Sequence, residues 1–284
     1  MAVKQKLVNT LLPSVVGFFV LLPLNAEKSG VFIGGGFQYS YASGAFKQDT
    51  TIQYTIPGFP GSTIKTTNPY RGNLFGGDLQ AGFKLFFGQT KRFGLRFYGF
   101  FSGQAGNANS VYSGNSDSKF IIKNQPGYNF FYGGGMDMLH NFYGNDERSF
   151  GVFVGVMVGW SSWSMGQSQQ CIGSTIYSRG GPIGGCVPTN KFFQEQVHIN
   201  NKYYPGIKSS FSPAFVQVIV NLGFRLNFTK HQGIEMGIRI PTINDLNYAS
   251  KGAFSEGMIA KIKVNDALIL RRDVAAFINY VISF

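Results

Sequence analysis

From Ser212 to Phe228 the chain alternates without a break. Ala214, Val216, Val218, Val220, Leu222, Phe224, Leu226 and Phe228 take every second position, and Gln217, Asn221, Arg225 and Asn227 stand among the residues between them. A period of two means an extended strand whose faces meet different surroundings, and this run is too long and too regular for a helix. The same pattern recurs in seven other segments: about Gly30–Tyr41, Leu74–Phe87, Arg92–Gly103, Gly127–Tyr143, Arg148–Trp163, Gly233–Pro241 and Val274–Phe284. The cleanest of these sets Leu79, Ala81, Phe83, Leu85 and Phe87 against Asp78, Gln80 and Lys84.

The connections between the eight segments alternate in length. Long stretches at about 42–73, 104–126, 164–211 and 242–273 are separated by short turns such as Gly88–Lys91, Gly144–Glu147 and Thr229–Gln232. An even-stranded transmembrane barrel with both ends of the chain in the periplasm has this order, with short periplasmic turns and long extracellular loops. A soluble sandwich has no reason to alternate in this way, and long loops are uncommon in compact domains. Run up and down in turn, the segments gather Phe87, Phe93, Phe142, Phe150, Phe228 and Phe284 at one end. Tyr39, Tyr41, Phe101, Tyr128, Phe130 and Trp160 collect at the other, giving the two aromatic girdles of such a barrel. The expected fold is therefore all-β: an eight-stranded antiparallel transmembrane barrel.

Composition agrees with this reading. Aromatic residues make up 16% and charged residues only 13%, against about 25% charged in a soluble globular domain. After the N-terminal run no apolar stretch is long enough for a helical span. That run starts with Lys4 and Lys6, continues from Leu7 to Leu24 and closes on Leu24-Asn25-Ala26, the pattern of a cleaved secretory signal at 1–26 with the barrel at 27–284. The formal charge of +12 comes from dispersed basic residues on a secreted chain, which argues against nucleic acid and towards the phosphates of lipopolysaccharide. Met258–Val264, Asn265-Asp266 and Ala267–Leu270 resemble a hairpin inside the last long connection, standing above the membrane with its second arm running into the eighth strand.

Three stretches carry a resemblance: Glu27-Lys28-Ser29-Gly30-Val31-Phe32-Ile33-Gly34, Gly233-Ile234-Glu235-Met236-Gly237-Ile238-Arg239-Ile240-Pro241-Thr242-Ile243, and Arg271-Arg272-Asp273 running on to Tyr280 and Phe284. They are similar to the Helicobacter outer-membrane protein family of porin- and adhesin-type paralogues. The resemblance implies a bacterial outer-membrane location and a short member without the large inserted extracellular domain. The apolar face ending in Tyr280, Ile282 and Phe284 also resembles the C-terminal signature read by the barrel-assembly machinery.

No catalytic constellation or cofactor motif stands out. His140, His198 and His231 lack metal-ligand spacing, and the expectation is a non-enzyme without cofactors. Cys171 and Cys186 suit one disulfide, either a structural staple or the clasp of a display loop. Asp78, Lys84, Arg96, Asp137, Arg225, Glu235 and Arg239 should all point into the barrel. Eight strands leave an interior just wide enough for side chains, so these charges either form an ionic plug or line a narrow channel. Lys261, Lys263, Arg271 and Arg272 are candidates for lipopolysaccharide contact, the alternative being a solvated basic loop. The functional expectation is a structural or attachment protein with surface-exposed loops and a possible host receptor. A small-solute porin is the alternative, and a barrel hydrolase the third.

Overall fold

The computed structural model describes residues 29–88, 92–113, 119–144, 148–167, 170–172, 177–178, 181–182 and 187–284. The expected signal segment 1–26 and Cys186 lie outside the described residues. Eight strands close a ring: β1 (Gly30–Tyr54), β2 (Ser62–Phe87), β3 (Phe93–Ser113), β4 (Lys119–Gly144), β5 (Ser149–Met165), β10 (Ala214–Asn227), β11 (Gln232–Pro241) and β13 (Ala260–Ser283). Each pairs antiparallel with the next, and β13 pairs with β1 from Phe32↔Ser283 to Tyr54↔Ala260 to complete the circle. Closure leaves no unpaired edge within the ring, a requirement for strands in hydrocarbon.

Alternation sets the two faces as expected. Val31, Ile33, Leu79, Phe97, Met138, Val154, Phe224 and Ile278 are exposed on the outer wall. Both aromatic girdles are on that wall, with Phe101 on Phe130, Tyr132 on Trp160 and Phe150 on Phe224 stacked between neighbouring strands. At the short-turn end the Phe284 amide donates to the Val31 carbonyl at 2.9 Å, and Tyr280 packs beside Phe228.

The strands are much longer than expected on one side of the ring. Crossing a membrane takes about 9–11 tilted residues. β1, β2, β4 and β13 have 25, 26, 26 and 24, whereas β10 and β11 have 14 and 10. Much of 42–73 and 104–126, expected as loop, is thus ladder; β1 and β2 stay in register up to Ile52↔Ser62. Polar but β-prone threonines hold this extension, with the Thr51 and Thr63 hydroxyls 3.3 Å apart. Where β11 ends, β12 (Asp245–Glu256) takes over the same edge of β13, and β9 (Ile207–Phe211) pairs onto β12. A five-stranded sheet, β2-β1-β13-β12-β9, therefore stands beyond the apolar band.

The hairpin expected from Met258–Val264 and Ala267–Leu270 is not formed: from Ala260 on, both arms lie in the single strand β13. The hairpin in this connection is made by β12 with β13, whose second arm runs into the last ring strand. Its turn is at Gly257–Ile259, where Gly257 has φ +60° and the Ile259 amide donates to the Glu256 carbonyl. Asn265 and Asp266 lie mid-ladder opposite Lys251 and Ser250. The segment 164–211, expected as one loop, contains β6 (Gln170–Ile172) paired to β4, the two-residue pair β7 (Tyr177–Ser178) and β8 (Gly181–Pro182), and helix α1 (Thr189–Tyr203). Cys171 is on β6 opposite Ile122.

Candidate functional site

The interior below the mouth is a charged network threaded between aromatic rings. All seven residues expected to face inward are buried there. Arg96 on β3 pairs with Asp137 on neighbouring β4 at 2.5 Å and with Glu235 on β11 at 2.7 Å. Strands β3 and β11 are four places apart in a ring of eight, so the Arg96–Glu235 pair crosses the full diameter. The Arg96 guanidinium also lies 5.0–5.4 Å from the rings of Phe32, Tyr98 and Phe153. One level higher, Arg239 on β11 reaches Asp78 on β2 at 2.5 Å and the Gln38 side-chain oxygen at 2.6 Å. It sits over Phe277 at 3.7 Å and over Phe100 at 4.4 Å. Asn279 donates to the other Asp78 oxygen at 2.6 Å, and Tyr98 and Asn221 complete the shell of Asp137.

Charges this deep are tolerable only when paired and hydrogen-bonded. Small residues make the room. A Cβ at Gly155 would stand 2.1 Å from an Asp137 oxygen, and one at Gly135 would stand 2.4 Å from the Tyr98 ring. Lys84 donates to the Ser283 hydroxyl at 3.1 Å, and Arg225 lies over Phe86 at 5.4 Å.

The mouth is packed differently. Phe193 of α1 is buried among Phe46, Phe211 and Tyr248, with ring centroids 5.3, 6.2 and 4.6 Å away. Val197, one turn on, packs against the same cluster, which also holds Tyr70, Leu74, Trp163, Met165, Leu268 and Leu270. The start of the helix is tied to the wall. Asn190 accepts from the Met165 amide at 2.9 Å and donates to the Trp163 carbonyl at 3.1 Å, and Gln125 donates to the Thr189 hydroxyl. Beneath it, the Trp163 indole donates to Asp245 at 2.7 Å and Gln217 to the same carboxylate at 3.2 Å. Burial pushes the Asp245 carboxyl up to about 6 despite these donors. Burial also pushes Asp266, farther out on β13, up to about 6, against the hydrogen bond donated by the Asp49 amide and with a smaller push from the Asp49 carboxylate.

The sequence reading placed Arg272 on the outer rim, and the structure corrects it. The register shifts between Tyr41 and Ala42, leaving Asp273 as the extra residue, and a one-residue bulge turns every following side chain to the other face. Arg272 therefore points inward, buried, and donates to the Gln104 side chain at 3.2 Å. Arg271 points outward, held by Asp273 at 2.6 Å and bonded to Asn244. Lys261 and Lys263 are exposed on the outer face of β13. Alternation had no signal for α1, whose apolar contacts come from Phe192, Phe193 and Val197 alone.

A family model described as Helicobacter outer membrane protein matches residues 78–284. The chain belongs to this family. Its place is accordingly the bacterial outer membrane. A search of curated proteins returned no match. Among solved structures, the chain is similar to the outer membrane protein OprG of Pseudomonas aeruginosa, at 11% identity over 92% of this chain and 99% of that one, with a TM-score of 0.38. The attachment invasion locus protein Ail of Yersinia pestis follows at 10% identity, 86% and 98% coverage and a TM-score of 0.23. The outer membrane protease OmpT of Escherichia coli gives 8%, 93%, 99% and 0.32. These superpositions are loose, and the architecture rests on the closed ring of strand pairings.

Proposed function

We propose that this family member is a closed barrel serving as a membrane-anchored platform, with a structural or surface-attachment role and no catalysis. The observation that carries the reading is the Arg96–Glu235 pair, because an ion pair joining diametrically opposed strands lies across the axial path at its level. The Arg239 layer and the apolar mouth under α1 lie above it in series.

The long-loop end, with the five-stranded sheet, faces the medium in this reading. Its distal turns carry exposed apolar side chains, Tyr54, Ile56, Phe59, Met258 and Ile259, and the two turns are joined by a hydrogen bond from Thr55 to Ile259. Exposed apolar groups on a protruding tip suit contact with another surface. Replacing Ile56, Phe59, Met258 and Ile259 together by Ser should lower adhesion of expressing cells to host cells or matrix while heat-modifiable gel mobility stays normal. Unchanged adhesion with an intact barrel would leave only the structural role.

The second reading, a small-solute porin, draws on the excess of basic over acidic side chains lining the interior. Liposome swelling separates the two. The closed platform gives no swelling with small sugars or amino acids beyond protein-free liposomes, and a porin gives size-dependent rates.

A further inference from the structure

The sheet beyond the membrane has one strongly basic face, and the pairing registers lay it out as a grid. Lowest is a row across β2, β1 and β13 formed by Arg71, Ser43 and Arg271. Two rows up, Thr67, Lys47, Ala267 and Ala249 stand side by side. The next row runs Lys65, Asp49, Asn265, Lys251 and Lys208 across all five strands. Lys263 and then Lys261 follow up β13. Rows two residues apart are about 6.7 Å from each other and neighbouring strands about 4.8 Å, so the basic groups extend roughly 33 Å along the sheet. Two carboxylates share the face, Asp49 paired with Lys65 at 3.4 Å and Asp273 paired with Arg271 at 2.6 Å. Eight basic groups against these two leave an excess of six positive charges.

The same three strands carry the lipid-facing wall directly below, where Tyr41, Phe37, Phe75 and Val274 are exposed. What stands beside this face in the plane of the membrane is thus a molecule with acyl chains below and anionic groups above. Arginine is the side chain best matched to phosphate, and the two arginines occupy the row nearest the apolar band. We propose that the outward face of β2, β1, β13 and β12 binds one outer-leaflet lipopolysaccharide molecule, its lipid phosphates at Arg71 and Arg271 and its phosphorylated core against Lys47, Lys251 and Lys263. The inward-pointing Arg272 takes no part. The proposal rests on the reading that the long-loop end faces the medium.

The test uses the full-length protein refolded in detergent and titrated with purified lipopolysaccharide bearing a phosphorylated core. The fourfold variant Arg71→Gln, Lys47→Gln, Lys263→Gln and Arg271→Gln should bind at least tenfold more weakly, with much reduced salt sensitivity. Dephosphorylated lipopolysaccharide should bind wild type as weakly as the variant binds the intact glycolipid. Equal binding by wild type and variant overturns the proposal. So does tight binding of heparin without binding of lipopolysaccharide, which assigns the face to a soluble polyanion. Heat-modifiable mobility reports folding of the fourfold variant, and the exposed pair Lys65→Gln and Lys251→Gln gives a milder second comparison. Orientation is read separately, through labelling of Ser255→Cys by a membrane-impermeant maleimide on intact cells. Labelling without glycolipid binding refutes the site alone, and no labelling on cells refutes the orientation beneath it.

Discussion

The interior below the mouth and the mouth itself are filled by opposite means. Below, Arg96, Asp137, Glu235, Arg239 and Asp78 form ion pairs sandwiched between rings. Above, Phe193 packs an aromatic cluster with Phe46, Tyr248 and Phe211. The wall explains the contrast. Within the apolar band the outer faces already meet lipid, so polar residues find their partners inside. Beyond the band water lies outside, and the extended sheet must bury an apolar face against something, which α1 supplies.

The two fillings should fail differently. Removing one partner of a buried pair costs roughly 3–5 kcal/mol because the other charge is stranded. Arg96→Ala should therefore lower the urea midpoint of the whole barrel in detergent, while Arg96→Met with Asp137→Leu and Glu235→Leu should recover much of the loss. A midpoint unmoved by Arg96→Ala would show that the pair holds nothing. Phe193→Ala also removes a large buried side chain, at a cost of about 3 kcal/mol or more. Here the loss should be confined to the upper sheet, read as faster hydrogen exchange in β9, β12 and the outer half of β13 with the lower ring unchanged. Uniform loss across the molecule would erase the distinction between the regions. Asn190→Ala, which cuts two bonds between α1 and β5, should loosen the helix by about 1–2 kcal/mol.

The smallest effect is on pH. Asp245 and Asp266 are both raised to about 6 by burial, against about 3.9 for an unfolded aspartate. Between these values the folded state binds more protons, so their contribution to stability is full below about pH 4 and is lost as pH rises through 6. In a Trp160→Phe background, fluorescence of Trp163 should report a mouth that resists urea better at pH 4.5 than at pH 7.5. Asp245→Asn should shrink that difference, and a difference of the opposite sign would refute the assignment.

Much of the barrel was legible in the sequence because its determinant is periodic. Alternation marked every ring strand, and it placed the charges of Asp78 to Arg239 on the inner face. What it could not show was partner choice across the barrel, since Arg96 and Glu235 are 139 residues apart. The extensions of β1 and β2 escaped because Gln48, Asp49, Thr50 and Thr51 meet no lipid on either face and so carry no contrast. Arg272 was misplaced because alternation counts residues and the bulge at Asp273 consumes one. Helix α1 has too few apolar residues, in a segment rich in glycine and proline, to announce itself.

Single-channel recording in planar lipid bilayers tests the central claim most directly, that paired side chains close the lumen. Pure wild-type protein should give no open-channel steps, whereas Arg96→Ala combined with Arg239→Ala and Phe193→Ala should produce small, reproducible ones. Regular steps from wild-type protein would contradict the closed barrel and favour the porin.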